Sequence, residues 1–397
     1  MTRLVTDAER RARLTTRQAL HPEHRADDVV GAARAVVCLH ATEAATVHLA
    51  VGARTTGVTP SDVEGALYDD RSIVKQLAMR RTLFAFPRDL LPAALAVARG
   101  RIAPEQHRLV SRDAARHGIA DDGEAWLATA GAAVERRLAG GEALTAATLR
   151  AELPELTGAI TVNEGKRYGG TFNLAPRVLT WLGAEGRITR GPNAGHWRLS
   201  KPAWTLMAAW LGEEPSVPDL AAGYTELVRR WLEQYGPGTL DDVQWWLGAT
   251  KGATRTALED VGAVEVDLEG GRTGWLLPDD LDPVGEVGPW AALLPALDPT
   301  TMGWKHRDWY LDPAHRDLLF DSNGNGGTTA WWQGRIVGAW VQDDDGVVSV
   351  VECPGTDLPG AGRSALAAEA ARLTAWLDGV RITNVYSSRL MKGEPLP

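Results

Sequence analysis

YTELVRRWLEQYGPGTLDDVQWWLGATKGATRTALEDVGAVEVDLEGGRTGWLLP, residues 224–278, decides the fold. Its opening segment carries apolar residues at helical spacing and closes at Gly236. Thr239 then stands where a helix N-cap belongs, and Asp241 and Asp242 set negative charge against the free N–H groups of the next first turn. KGATRTALEDVG reads as a further helix. VEVDLEG and RTGWLLP, joined by a Gly-Gly turn, read as a hairpin. Three helices and a hairpin in about 55 residues are the plan of a winged helix, whose last helix can enter a DNA groove.

Working outward, the same grammar occurs twice upstream. Between about Asp27 and Pro87, DDVVGAARAVVCLH and ATVHLAVGART have helical spacing, Thr59, Pro60 and Ser61 open an amphipathic stretch, RSIVKQLAMRR reads as a short helix, and TLFAFP reads as a strand. Between about Asp121 and Lys201, EAWLATAGAAVERRLAGG closes at Gly140 and Gly141. LTAATLRAEL has Thr145 as its cap, NLAPRVLTWLGAEGRI is amphipathic, and ITRG and HWRLS flank a turn at 192–195. After Pro278 the composition changes. A linker rich in Asp, Pro and Gly (279–287) precedes short β patterns, TTAWWQG, RIVGAWVQ, GVVSVVEC and RITNVYSS, interrupted by one helix, SALAAEAARLTAWLDG. The expected class is α+β: three tandem winged-helix units and a C-terminal small β-barrel. The expected divisions are residues 1–118, 119–217, 218–278 and 279–397.

The net charge of −9 argues against a chain coated in positive charge, but phosphate contact needs only local patches, because charge is screened within about 8–10 Å. Arg10, Arg11 and Arg13 form one such patch; Arg80 with Arg81, Lys166 with Arg167, and Arg187 with Arg190 form others. There is no apolar run of about 18 residues, and the opening MTRLVTDAERRARL lacks an apolar signal core, so the expectation is a cytoplasmic protein without a membrane partner. Cys38 and Cys353 make neither a disulfide framework nor a metal pattern. No phosphate loop, dinucleotide fingerprint, nucleophile elbow or zinc spacing occurs, so no cofactor and no metal are expected.

His40-Ala41-Thr42-Glu43 joins two apolar helical stretches. Thr42 or Glu43 in that place is an ordinary cap for the following helix. The alternative is a small catalytic site in which the i, i+2 spacing turns His40 and Thr42 to one side. Trp181, Trp204, Trp245 and Trp246 lie on apolar helix faces and read as core. Trp304 and Trp309 are mixed with Lys305, His306 and Arg307, which suits a nucleic-acid or ligand surface, with structural packing as the other reading.

Six segments in order, VVCLHATEAATVHLAVGART, LYDDRSIVKQLAMRRTLF, GKRYGGTFNLAPRVLTWLGAEGRI, YGPGTLDDVQWWLG, LLPALDPTTMGWKHRDWYL and NGGTTAWWQGRIVGAW, resemble the winged-helix DNA glycosylases of the AlkZ-like and YcaQ-like kind. The resemblance runs through nearly the whole chain. It implies a protein arranged around double-stranded DNA that hydrolyses the N-glycosidic bond of purines alkylated at N7 or N3, bulky or crosslinked adducts included; so long a single chain needs no partner to surround DNA, so a monomer is expected. It also implies a role in self-resistance to DNA-alkylating natural products. Its Gln–aliphatic–Gln motif falls on His40-Ala41-Thr42, so neither glutamine is present. His40, Thr42 and Glu43 are therefore the candidate catalytic residues, with neutral His40 taking a proton from water and activity falling below about pH 6. Arg80, Arg81, Lys166, Arg167, Arg187, Arg190, Lys305 and Arg307 are the candidate DNA contacts. The competing reading is a winged-helix DNA-binding protein without catalysis, a regulator or lesion binder.

Overall fold

The structure is a computed structural model that describes residues 2–162 and 169–395. Lys166 and Arg167 lie outside the described residues. One element order recurs three times: helix, short strand, two helices, hairpin. In the first run these are Val29–Arg34, Leu39–His40, Ala44–Gly52, Pro60–Glu64 with a π-helical continuation Gly65–Asp69, then Ile73–Leu77 and Leu83–Pro87. The last strand lies in the middle of its sheet, between the other two. The second run repeats this with Gly123–Leu138, Leu144–Thr145, Ala146–Glu152, Ala175–Ala184, Ile188–Asn193 and Pro202–Leu206, again with the last strand central. A separate hairpin, Ala159–Val162 with Gly170–Asn173, is inserted before its third helix. The third run has Leu220–Tyr235, Leu240–Leu247, Lys251–Asp260, Val264–Leu268 and Arg272–Leu276, with a single Gly238–Trp275 bridge in place of the short first strand. Leu4–Val5 adds a parallel strand to its far edge.

The capping residues explain where helices begin. Thr59 and Thr239 each accept from the N–H three residues on, and Asp62 and Asp242 reach back to the cap N–H. Thr145 accepts from Thr148 N–H. Asp242 does more than close its box. Its other oxygen accepts from the backbone N–H groups of Lys305 (2.9 Å) and His306 (2.8 Å), tying the third run to the C-terminal region.

Several expectations are corrected. IVKQL is a strand, not a helix, because residues 73–77 pair in register with 87–83 and the pairing overrides local spacing. HWRLS is a loop; its backbone turns around the Asn193 side chain, which donates to three carbonyls and accepts from Lys201 N–H, and the second strand is Pro202–Leu206. RITNVYSS is no strand, because the N–H groups of Val385 and Tyr386 go to the Glu43 carboxylate rather than to a ladder. The expected C-terminal barrel is an open sheet of four antiparallel strands, Ala291–Leu294, Thr329–Trp332, Arg335–Gln342 and Val348–Glu352, in sequence order. Four strands leave two free edges, and Gly360–Leu377 covers one face through Leu366, Ala370, Leu373 and Leu377. Trp304 and Trp309 are buried in an aromatic cluster with Tyr235 and Tyr310, not at the surface. Arg10 and Arg13 are also inside: Arg10 lies over Trp309 and Arg13 bonds Glu9 and Asp280.

The second run has its own apolar core, with Leu127, Val134, Leu149, Val178 and Leu182. The first and third runs share one, in which Val47 and Phe84 join Trp231, Tyr235, Trp246 and the C-terminal Trp304 and Trp331. Through this shared core runs one ion pair without solvent contact. Arg54, from the end of the helix that follows His40, bonds both oxygens of Asp298 at 2.7 and 2.9 Å, and both residues are 0% exposed. Thr300 Oγ1 and Ala50 O accept the remaining donors of its terminal nitrogens, and Thr300 donates in turn to Gln18. Removing one partner strands a buried charge. Arg54→Met is expected to lower unfolding free energy by about 3–5 kcal/mol. Adding Asp298→Leu restores much of it. Urea denaturation of the two variants checks this, and equal losses in the single and double variants would contradict it.

Candidate functional site

His40 ends the short edge strand of the first sheet, opposite Phe84. Its ring meets Phe84 edge-on with centroids 5.3 Å apart, and the next residue is fixed by Ala41 N–H donating to Leu83 O at 2.9 Å. His40 is 6% exposed, Ala41 is buried and Thr42 is exposed. Thr42 N–H donates to His40 Nδ1 at 3.4 Å. An Nδ1 that accepts leaves the ring proton on Nε2, so the imidazole presents a donor at its outer end. Burial, reinforced by the positive charge of Arg80, brings the His40 pKa down to about 3. The ring is therefore neutral throughout the physiological range and a poor proton acceptor. That value lies well below the pH 6 at which activity is expected to fall if His40 is the base.

The expected cap is not made. Glu43 occupies the N-cap position of Ala44–Gly52 without a side-chain bond to it. Its carboxylate instead accepts from Val385 N–H (2.6 Å) and Tyr386 N–H (3.1 Å), stitching the site to the C-terminal segment. Burial raises the Glu43 pKa, opposed by those two N–H groups.

Arg80 and Arg81 form the turn of the adjacent hairpin, both with left-handed backbone, φ 53° and 57°. Their side chains part. Arg81 turns outward to an exposed pair with Glu105 at 2.8 Å. Arg80 turns inward and lies 4.0 Å above the Trp245 ring. Gly248 permits this approach: it has φ 66°, and a Cβ there would stand 2.9 Å from Arg80 Cγ and 3.0 Å from Arg80 N. Burial, then the charge of Arg307, lowers the Arg80 pKa to about 10, so the guanidinium stays charged at neutral pH.

Residues 33–376 match the family model described as DNA glycosylase AlkZ-like. The chain belongs to the AlkZ-like DNA glycosylase family. Among solved structures, the Streptomyces sahachiroi DNA glycosylase AlkZ is similar, with a TM-score of 0.72 and 23% identity over 94% of this chain and 97% of that one. At that identity the likeness speaks for the fold. No curated protein sequence matches the chain.

In this AlkZ-like chain the expected DNA contacts fare unequally. Arg187 is held by Glu135 in a two-bond pair. Arg190 is half-buried over Trp204, its pKa lowered by burial. Lys305 pairs with Asp241, which Lys251 also reaches. Arg307 is corrected: it is buried against Phe320, donating to Trp304 O and Gly324 O, and is no surface cation. Arg80 lies on Trp245 and its charge acts on His40, while Arg187 and Arg190 belong to the second run, Arg190 beside Lys75 and Leu77 of the first sheet. Trp245, expected in the core, is half-exposed, while Trp246 is buried. The adjacency of the two carried the signal, since neighbours on a helix cannot share one face. Among the described residues no helix is long and apolar enough to cross a membrane, and no group of His, Cys, Asp and Glu could hold a metal ion.

The depressed His40 pKa carries a stability consequence. The folded value lies below the unfolded one, so its contribution is complete above about pH 6.5 and drains away as pH falls toward 3. His40→Gln is expected to flatten the acid limb of the stability curve relative to the unaltered protein. Parallel curves down to pH 4 in chemical denaturation would contradict the assignment.

Proposed function

We propose that this AlkZ-like family member is a monofunctional glycosylase, acting as a monomer on alkylated purines in double-stranded DNA, through three winged-helix units and the C-terminal sheet. The family match over residues 33–376 carries this reading. The threefold recurrence of helix, strand, two helices and hairpin supports the winged-helix part. An N7-alkylpurine is already a cationic leaving group, so the enzyme need only position water and tolerate positive charge on the sugar. Thr42, exposed beside a neutral ring, is the residue that holds the water; His40 offers an N–H and takes no proton; Glu43 fixes the junction through Val385 and Tyr386. Arg80, Arg81, Lys166, Arg167, Arg187, Arg190 and Lys305 are the proposed phosphate contacts. The ion pairs of Arg81, Arg187 and Lys305 would exchange their carboxylates for phosphates on binding.

One observation favours the second reading, a lesion binder without catalysis. His40, which stands in the first motif position, is buried with its pKa brought down to about 3, which makes it a poor base for drawing a proton from water.

Incubation with duplexes bearing simple and bulky N7-guanine adducts, followed by heating in base, separates the two. The glycosylase reading expects strand breaks at the adduct, a rate flat from about pH 5 to 8 because neutral His40 does not titrate there, and a loss of about tenfold or more in Thr42→Ala. Tight binding with no release from any adduct establishes the lesion binder instead.

A further inference from the structure

Among the described residues Arg80 makes neither an ion pair nor a hydrogen bond, and its Nε is closed off from solvent without a partner. The charges nearest it do not help. Arg307 repels it, and burial keeps the Cys38 thiol protonated. Most cations around it have found carboxylates or carbonyls: Arg81 has Glu105, Arg101 has Gly248 O, and Arg307 has Trp304 O. A largely buried charge without a counter-ion costs stability. The chain adds further cost, since two successive non-glycine residues adopt the left-handed backbone that aims Arg80 inward. Trp245 and Gly248, from the third run, then hold it in place.

The second unfilled donor lies on the same small sheet. Ala41 N–H bonds Leu83 O and His40 pairs with Phe84, just beyond the turn that carries Arg80. His40 Nδ1 is occupied by Thr42 N–H, so Nε2 carries the proton, and among the described residues it has no acceptor. Two donors and a fixed positive charge suit one anion with several acceptor oxygens, the nearby Glu43 carboxylate being tethered through Oε1 to Val385 and Tyr386 N–H.

We infer that Arg80 and the Nε2–H of His40 form a seat for a single phosphodiester group of the bound strand. This rests on DNA being the partner, as proposed above, and not on base release. Thr42, next to His40, then faces the sugar attached to that phosphate. The seated phosphate cancels the Arg80 charge, which would otherwise oppose positive charge growing on the sugar.

The full chain with nitrogen-15 histidine is titrated with inorganic phosphate and, separately, with undamaged duplex. The His40 ring resonances are expected to move with both, and to stay still in Arg80→Met. Arg80→Met keeps the apolar stem over Trp245 and removes the unpaired charge, so its Tm is expected to equal or exceed that of the unaltered protein. Its salt slope for duplex binding is expected to be shallower by about one, and Arg80→Lys is expected to recover part of that slope. A lowered Tm with unchanged slope and unchanged His40 titration would make Arg80 structural and overturn the seat. Movement with inorganic phosphate but not with duplex would overturn the phosphodiester assignment in favour of a free-phosphate site. Loss of base release with the duplex response intact removes the glycosylase reading alone; release with a silent His40 removes the seat alone.

Discussion

The bidentate pair between Arg54 and Asp298 is the constraint on which the rest depends. Arg54 stands just past the end of the helix that begins beside Glu43, and Asp298 follows the first strand of the C-terminal sheet. With Thr300 and Gln18 completing the bonds, the pair fixes helix Ala44–Gly52 against the sheet at a single rotation. Thr46 Oγ1 donating to Ala296 O, 2.9 Å, repeats the attachment two turns earlier. A charge pair in a dry core adds little net stability over apolar packing, but it tolerates little displacement. The position of the His40–Glu43 junction follows from it.

The molecule treats its positive charges in two ways. Arg13, Arg54 and Arg187 are matched to carboxylates with two or more bonds each, so their role is to join segments. Arg80 is matched only to an aromatic face. The same separation applies to imidazoles. His48 is buried with Glu64 at 3.0 Å and a stacked Trp197, whereas His40 has one nitrogen engaged and one free among the described residues. Arg80 and His40 both belong to the first sheet and the turn that follows its edge strand.

Much of the architecture is legible in the residues, because caps and breakers act locally. Thr59, Thr145 and Thr239 begin helices where their spacing places them, and Gly236 ends one. What escapes depends on distant partners. IVKQL is helical in spacing and extended in fact, because Pro87 to Leu83 lie beside it. Residues 382–387 have strand composition, yet the N–H groups of Val385 and Tyr386 serve a carboxylate more than three hundred positions earlier. At the site, the polar junction is visible as an interruption between apolar helices. The roles are not: His40 departs far from its solution pKa, and Glu43 caps nothing. Both depend on burial and on Arg80, Val385 and Tyr386, which no local window contains. The basic residues are the least legible, since an arginine in a sequence does not disclose which carboxylate it will meet.

The parallel strand Leu4–Val5 on Val264–Leu268 has a bearing on how the chain is made. Synthesis delivers these two residues more than 250 positions before their partner. The first run is in a similar position, because its core is shared with Trp231, Tyr235 and Trp246. The second run, with an interior of its own, needs no such wait. On the ribosome the middle of the protein is thus placed to consolidate early, while the two flanking parts stay open until the third hairpin emerges and closure over so long a separation completes them.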